Sequence, residues 1–128
     1  MQRNMDLVRT ILLRMESDPS GRGRGSWDLG MRGYPPEEVG YHAHIMLQEG
    51  LIEGIDATPR ESTEVPEVLP TGLTWKGHEF LDLARDQDRW NRAKAIIAKV
   101  GSAPISVWVK VLTDLVWKNL EAGGAKPS

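Results

Sequence analysis

The chain has 128 residues, 40% hydrophobic and 27% charged, the size of one ordinary domain able to bury roughly two-thirds of its unfolded surface. It contains no cysteine, which removes disulfide scaffolds, thiol catalysis, thiolate zinc sites and iron–sulfur clusters and suits a reducing compartment. No apolar N-terminal h-region and no run of about 18–20 apolar residues is present, so the chain reads as soluble and cytoplasmic.

The net charge of −2 hides a segregation. Residues 1–35 carry six arginines against four acids. Residues 36–74 carry Arg60 alone against Glu37, Glu38, Glu49, Glu53, Asp56, Glu61, Glu64 and Glu67. Residues 75–128 carry nine basic against six acidic side chains. The middle third is an acidic belt.

In chain order, Asn4 is an N-cap with Asp6 in the first turn, where the helix dipole favours an anion. Val8, Leu12 and Met15, flanked by Met5 and Ile11, recur at helical spacing and predict an amphipathic helix over 5–17. Asp18-Pro19 ends it. Gly21-Arg22-Gly23-Arg24-Gly25 sits in a flexible loop, and Trp27, Leu29 and Met31 alternate as in a short strand. Pro35-Pro36-Glu37-Glu38 opens a helix over 36–49, proline in its first turn and acids behind it. Val39, His42, Ala43 and Met46 share its apolar face, and Gly50 is the stop.

Residues 51–55 read as a strand, 56–66 as a polar loop, and 68–73 as a second strand that Pro70 restricts to an edge or a bulge. Thr74 caps a third helix, expected over 75–87, with Gly77, Phe80, Leu81 and Ala84 inward. Asp86 or Asp88 restarts or continues it over 88–100 through Trp90, Ala93, Ile97 and Val100. Pro104 begins a last helix to 121, and 123–128 is a flexible tail. The order is that of a mainly helical α+β fold: a truncated winged helix (helix–strand–helix–wing) followed by C-terminal helices. It reads as one domain over 1–122, with 88–122 as a helical extension.

Three blocks carry a family resemblance: Met5-Asp6-Leu7-Val8-Arg9 with Ile11-Leu12-Leu13; Glu37-Glu38-Val39-x-Tyr41-His42 with Glu49-Gly50-Leu51-Ile52-Glu53-Gly54; and Leu73-Thr74-Trp75-x-Gly77-His78-Glu79-Phe80-Leu81-Asp82 with Arg85-Asp86 and Trp90. Together they resemble a small family of bacterial and phage proteins catalogued as a domain of unknown function and regarded as winged-helix-like. The resemblance implies a winged-helix fold and a bacterial or phage setting. It implies no activity for any residue.

Candidate chemistry is sparse. His42-x-His44 invites a metal site, yet two residues apart on a helix means about 200°, so the imidazoles cannot share an ion. His42 reads as a buried, hydrogen-bonded histidine and His44 as exposed. His78-Glu79 reads as packing and capping. No Gly-x-Ser-x-Gly elbow exists, so a small hydrolase is disfavoured, and no catalytic, cofactor-binding or metal-ligating residue is assigned. The Gly-Arg loop lacks the spacing of a phosphate loop or dinucleotide fingerprint.

A DNA-reading helix needs Arg, Lys, Asn or Gln toward base edges, and helix 36–49 offers Gln48 and two histidines among three glutamates. Duplex DNA bound by a transcription regulator is therefore the alternative reading, with Arg22, Arg24 and Arg32 as its contacts. The last helix points elsewhere. Ten of its residues from 104 to 120 are apolar, more than one core-facing stripe requires. Trp108, Val109, Val116, Trp117 and Leu120 are the candidate partner surface. Trp108 and Trp117 are nine residues apart and so on opposite sides, one for the core and one for an interface. The leading expectation is a non-enzymatic winged-helix binding protein that docks on another protein or on itself as a homodimer. It would act as a regulator, inhibitor or accessory factor.

Overall fold

A computed structural model describes residues 1–18, 33–59 and 67–124. Among the described residues the order is α1 (Met5–Ser17), α2 (Pro36–Glu49), β1 (Ile52–Asp56), β2 (Val68–Leu73), α3 (Trp75–Ala84), α4 (Gln87–Ile97) and α5 (Ile105–Gly124). The fold is mainly helical α+β, five helices with one two-stranded antiparallel sheet. The chain forms two compact units, Met1–Glu79 and Phe80–Ser128, with the boundary inside α3. The strand expected over 27–31 and the loop bearing Arg22, Arg24 and Arg32 lie outside the described residues.

In the first unit, α1 and α2 pack on each other and on the sheet. Asn4 caps α1, its side-chain oxygen accepting from the backbone N–H groups of Asp6 at 3.0 Å and Leu7 at 3.4 Å. Met5, Leu7, Val8, Ile11, Leu12 and Met15 are buried, a broad apolar stripe in which the last four continue the helical period. Helix α2 starts on Pro36 without a side-chain cap and ends at Gly50, whose φ of 82° is the left-handed conformation that favours glycine. The N–H of Leu51 then reaches back to the Met46 carbonyl at 2.9 Å, closing the turn.

Strands β1 and β2 pair from Ile52↔Leu73 to Asp56↔Val68. Glu53 faces Gly72 and Gly54 faces Pro70, so Thr71 is an extra residue. Proline, which cannot donate to a ladder, thus sits where the pairing is already irregular. The sheet ends in a polar clasp. Thr58 donates its hydroxyl to Asp56 at 2.6 Å and accepts the Glu67 N–H at 2.8 Å. The Thr58 hydroxyl and, at 3.1 Å, its backbone N–H both donate to the Asp56 carboxyl and hold it below its usual range.

In the second unit, α4 packs on α5. Helices α3 and α4 are separate because Asp86 is extended (φ −70°, ψ 122°) and caps α4, accepting from the Arg89 N–H at 2.9 Å. That bond also lowers the Asp86 pKa, so the cap is present above the ordinary carboxylate range and lost as pH falls through the lowered value. Arg89 closes the other side of the break: its guanidinium donates to the Leu83 carbonyl at 2.8 Å and the Asp82 carbonyl at 3.1 Å, satisfying the end of α3. The expected third helix to 87 is therefore cut at Ala84.

Two further expectations are corrected. Helix α4 stops at Ile97, not 100, and Val100, expected inward, is 73% exposed in the turn before Gly101, whose φ is 90°. The expected tail from 123 begins too early, because Gly123 and Gly124 complete α5. Glycine costs only about 1 kcal/mol relative to alanine in a helix, so two at its end need not stop it.

Candidate functional site

The polar groups of the first unit are spent on holding it together. His42 is fully buried. One ring nitrogen, Nε2, accepts the Asn4 backbone N–H at 2.7 Å, and the other, Nδ1, lies 2.7 Å from the Glu38 carbonyl. A backbone N–H can only donate and a carbonyl only accept, so the ring fits as the neutral Nδ1–H tautomer. Neither nitrogen is left for a metal. The same Asn4 caps α1 with its side chain, and the pair ties α1 to α2.

The second and third sequence blocks meet at one junction. The Thr74 hydroxyl donates to the Gly50 carbonyl at 2.5 Å and accepts the Gly77 N–H at 3.0 Å, which caps α3. The Thr74 N–H donates to the Leu51 carbonyl at 3.2 Å. Lys76 pairs with Glu49 at 2.6 Å. A Cβ on Gly77 would lie far inside van der Waals contact distance of the Leu51 carbonyl oxygen. The Glu-Gly-Leu-Ile and Leu-Thr-Trp-x-Gly patterns are thus two halves of one backbone contact.

Other histidines differ from expectation. His44, expected exposed, is partly covered, with Nδ1 3.7 Å from the Asp56 carboxylate, too long for a hydrogen bond. The end of β1 lies against α2 and brings that carboxylate over it. His78 and Glu79 are exposed. Packing there falls to Gly77 and Phe80, and capping to Thr74, so the role expected of His78-Glu79 is not theirs.

A hollow of about 150 Å³ between α4 and α5 is lined by Asp86, Asp88, Arg89, Arg92, Leu115 and Asn119. Ligand pockets run to roughly 300–1,000 Å³. Asp86 and Arg89 are already committed to the helix break, and acids and bases here neutralise each other. It is a seam of the unit.

The surface of α5 divides into three sectors at about 100° per residue. Trp108, Leu112 and Leu115 are buried. Trp108 stacks on Trp90, ring centroids 4.8 Å apart and planes 25° apart, and Phe80 meets Trp90 edge-on at 6.4 Å. Of the five residues read as a partner surface, Trp108 is thus a core residue, 8% exposed. The second sector holds Val109, Thr113, Val116 and Leu120, spaced 4, 3 and 4, with Trp117 beside them. Trp117 is 60% exposed and Leu120 57%, Val109 is exposed, and Val116 and Thr113 are partly covered. The third carries Lys110 and Asp114, paired at 2.8 Å, with Lys118 and Glu121 exposed. Thr113 is not legible from a count of apolar residues; its signal in the sequence is the 4-3-4 spacing. Trp75, 81% exposed at the start of α3, gave no signal at all.

Comparison with known proteins finds a family of unknown function over most of the chain. The family profile described as "Hypothetical protein (DUF2513)" matches residues 2–103. A Haemophilus influenzae protein, described as an uncharacterized protein, is 41% identical over 97 residues, 76% of this chain and 79% of its own length. No solved structure matches. Among the described residues no helix is long and apolar enough to cross a membrane.

Proposed function

The chain belongs to the DUF2513 family, and on that premise we propose that it is a non-enzymatic binding protein that works by docking on protein, with a truncated winged helix as its first unit. One observation carries this: α5 buries one apolar sector and leaves a second, around Val109, Val116, Trp117 and Leu120, facing water. Contiguous exposed apolar surface flanked by charge is the mark of a protein contact. The winged-helix assignment draws on the order α1, α2, β1, β2, α3, with α2 in the recognition position and the sheet as wing. A regulator, inhibitor or accessory factor of a bacterial or phage system would use such a module.

The same arrangement disfavours duplex DNA. Helix α2 exposes Glu37 and Glu49 and half-covers Glu38, and β1 adds Glu53 and Asp56, with no Lys or Arg on either element. A polyanion gains nothing there from counterion release. Titration with duplex DNA at physiological salt is expected to give no sequence-specific binding tighter than the roughly 10⁻⁴–10⁻⁶ M of non-specific contacts. A nanomolar, sequence-dependent complex with a steep salt slope would replace protein docking by a transcription regulator using Arg22, Arg24 and Arg32.

The docking face is tested by Trp117→Ser combined with Leu120→Ser. Both side chains face water in the single chain, so at low concentration the folding stability should hold within the roughly ±0.5 kcal/mol scatter of surface changes. Any assembly seen by light scattering should be lost. A variant that unfolds outright would place this sector in a core and overturn docking through α5.

A further inference from the structure

We propose that the occupant of the exposed α5 sector is a second copy of the same helix, running antiparallel; this rests on docking through α5 and names its partner. Val109, Thr113, Val116 and Leu120 follow the 4-3-4 spacing of a two-helix seam, in which the helices meet along positions repeating every 3.5 residues. Three of the four are aliphatic, and the fourth, a threonine, carries a methyl group beside its hydroxyl. The centre of the seam falls between Thr113 and Val116. A twofold axis there sets Val109 beside Leu120 of the second copy and Thr113 beside its Val116, closing the contact on itself.

Charge decides the direction. Lys110, Asp114 and Glu121 lie to one side of the seam, while Lys118 points away from it. Antiparallel pairing brings Lys110 alongside Glu121 of the second copy, opposite signs on the same side of the seam. Parallel pairing in register carries the charged flanks of the two helices to opposite sides of the seam, so no such pair forms. Antiparallel pairing also opposes the two helix dipoles. Trp117, beside the seam, falls near Lys110 of the second copy, whose stem and ammonium can cover the indole face. The seam spans about 17 Å at 1.5 Å per residue, short for a permanent dimer. The association is therefore a weak, concentration-dependent one, at the small end of specific interfaces.

The absence of native cysteine makes the geometry readable by disulfide trapping. Val109→Cys and Leu120→Cys are prepared separately, one carrying a mass tag, then mixed and oxidised in dilute copper phenanthroline. The expected result is a cross-linked heterodimer in the mixture and at least several-fold less cross-linking in either variant alone, because like positions lie about 17 Å apart along the axis. Efficient cross-linking of each variant with itself would show a parallel pair and overturn the proposal while leaving docking through α5 intact. No cross-linking in any mixture, with a monomeric mass, also overturns it. Docking through α5 fails separately, when Trp117→Ser with Leu120→Ser unfolds the protein.

Charge reversal gives an independent reading without cysteine. Lys110→Glu or Glu121→Lys alone should weaken association about 2- to 30-fold, the range of exposed ion pairs taken twice across a twofold axis. The two together should restore it. Equal weakening by the double reversal contradicts antiparallel pairing.

Discussion

Replacing Gly77 with alanine is expected to destabilise the first unit by about 3 kcal/mol or more, the upper end of overpacking effects. The new methyl would meet the Leu51 carbonyl oxygen, a backbone atom that cannot rotate aside as a side chain would. That carbonyl already accepts the Thr74 N–H, so moving it away breaks the junction between α2, β1 and α3. Urea unfolding followed by circular dichroism measures the loss. Gly101→Ala is the control. Its φ of 90° makes a side chain strained, but nothing lies within 4 Å of the added methyl, so a cost of about 1–2 kcal/mol is expected. Equal losses at the two glycines would show that backbone conformation, not close approach, matters at Gly77.

Trp90→Ala is expected to cost about 3–5 kcal/mol, the range for removing a large buried aromatic. Trp90 is 1% exposed, stacked on Trp108 and met edge-on by Phe80, so its removal empties the centre of the second unit and unpairs two rings. Domains are stable by only about 5–15 kcal/mol, and the loss should show as a fall in melting temperature of many degrees or as failure to fold. Trp117→Ala, by contrast, should leave the melting temperature of the single chain nearly unchanged. A small loss at Trp90 would mean that the stack does not organise the unit.

Local rules explain how much of this was readable beforehand. Asn4, Pro36 and Gly50 mark their helix ends by side-chain chemistry or backbone conformation alone, and the structure uses each as expected. Asp86 was readable as one of two candidates for a restart, but the choice depended on Arg89 reaching back to the carbonyls of α3, a contact no periodicity reports. His42 was readable as buried, since it lies between Val39 and Met46. Its bond to Asn4 spans 38 positions and required the packing of α1 on α2. The helical wheel separated Trp108 from Trp117 without saying which faced the core; the stack on Trp90 supplies that answer. Val100 failed because a helical period was extended through a turn that Gly101 closes earlier.

The mass of the unaltered protein against its own concentration measures directly what the exposed sector of α5 does in solution. Light scattering from low micromolar to about 0.5 mM, a range that spans dissociation constants typical of weak contacts, should show the mass rising from 14.3 kDa toward twice that value. Trp117→Ser with Leu120→Ser should remain at the monomer mass throughout. A mass of 14.3 kDa at every concentration would contradict self-association through α5.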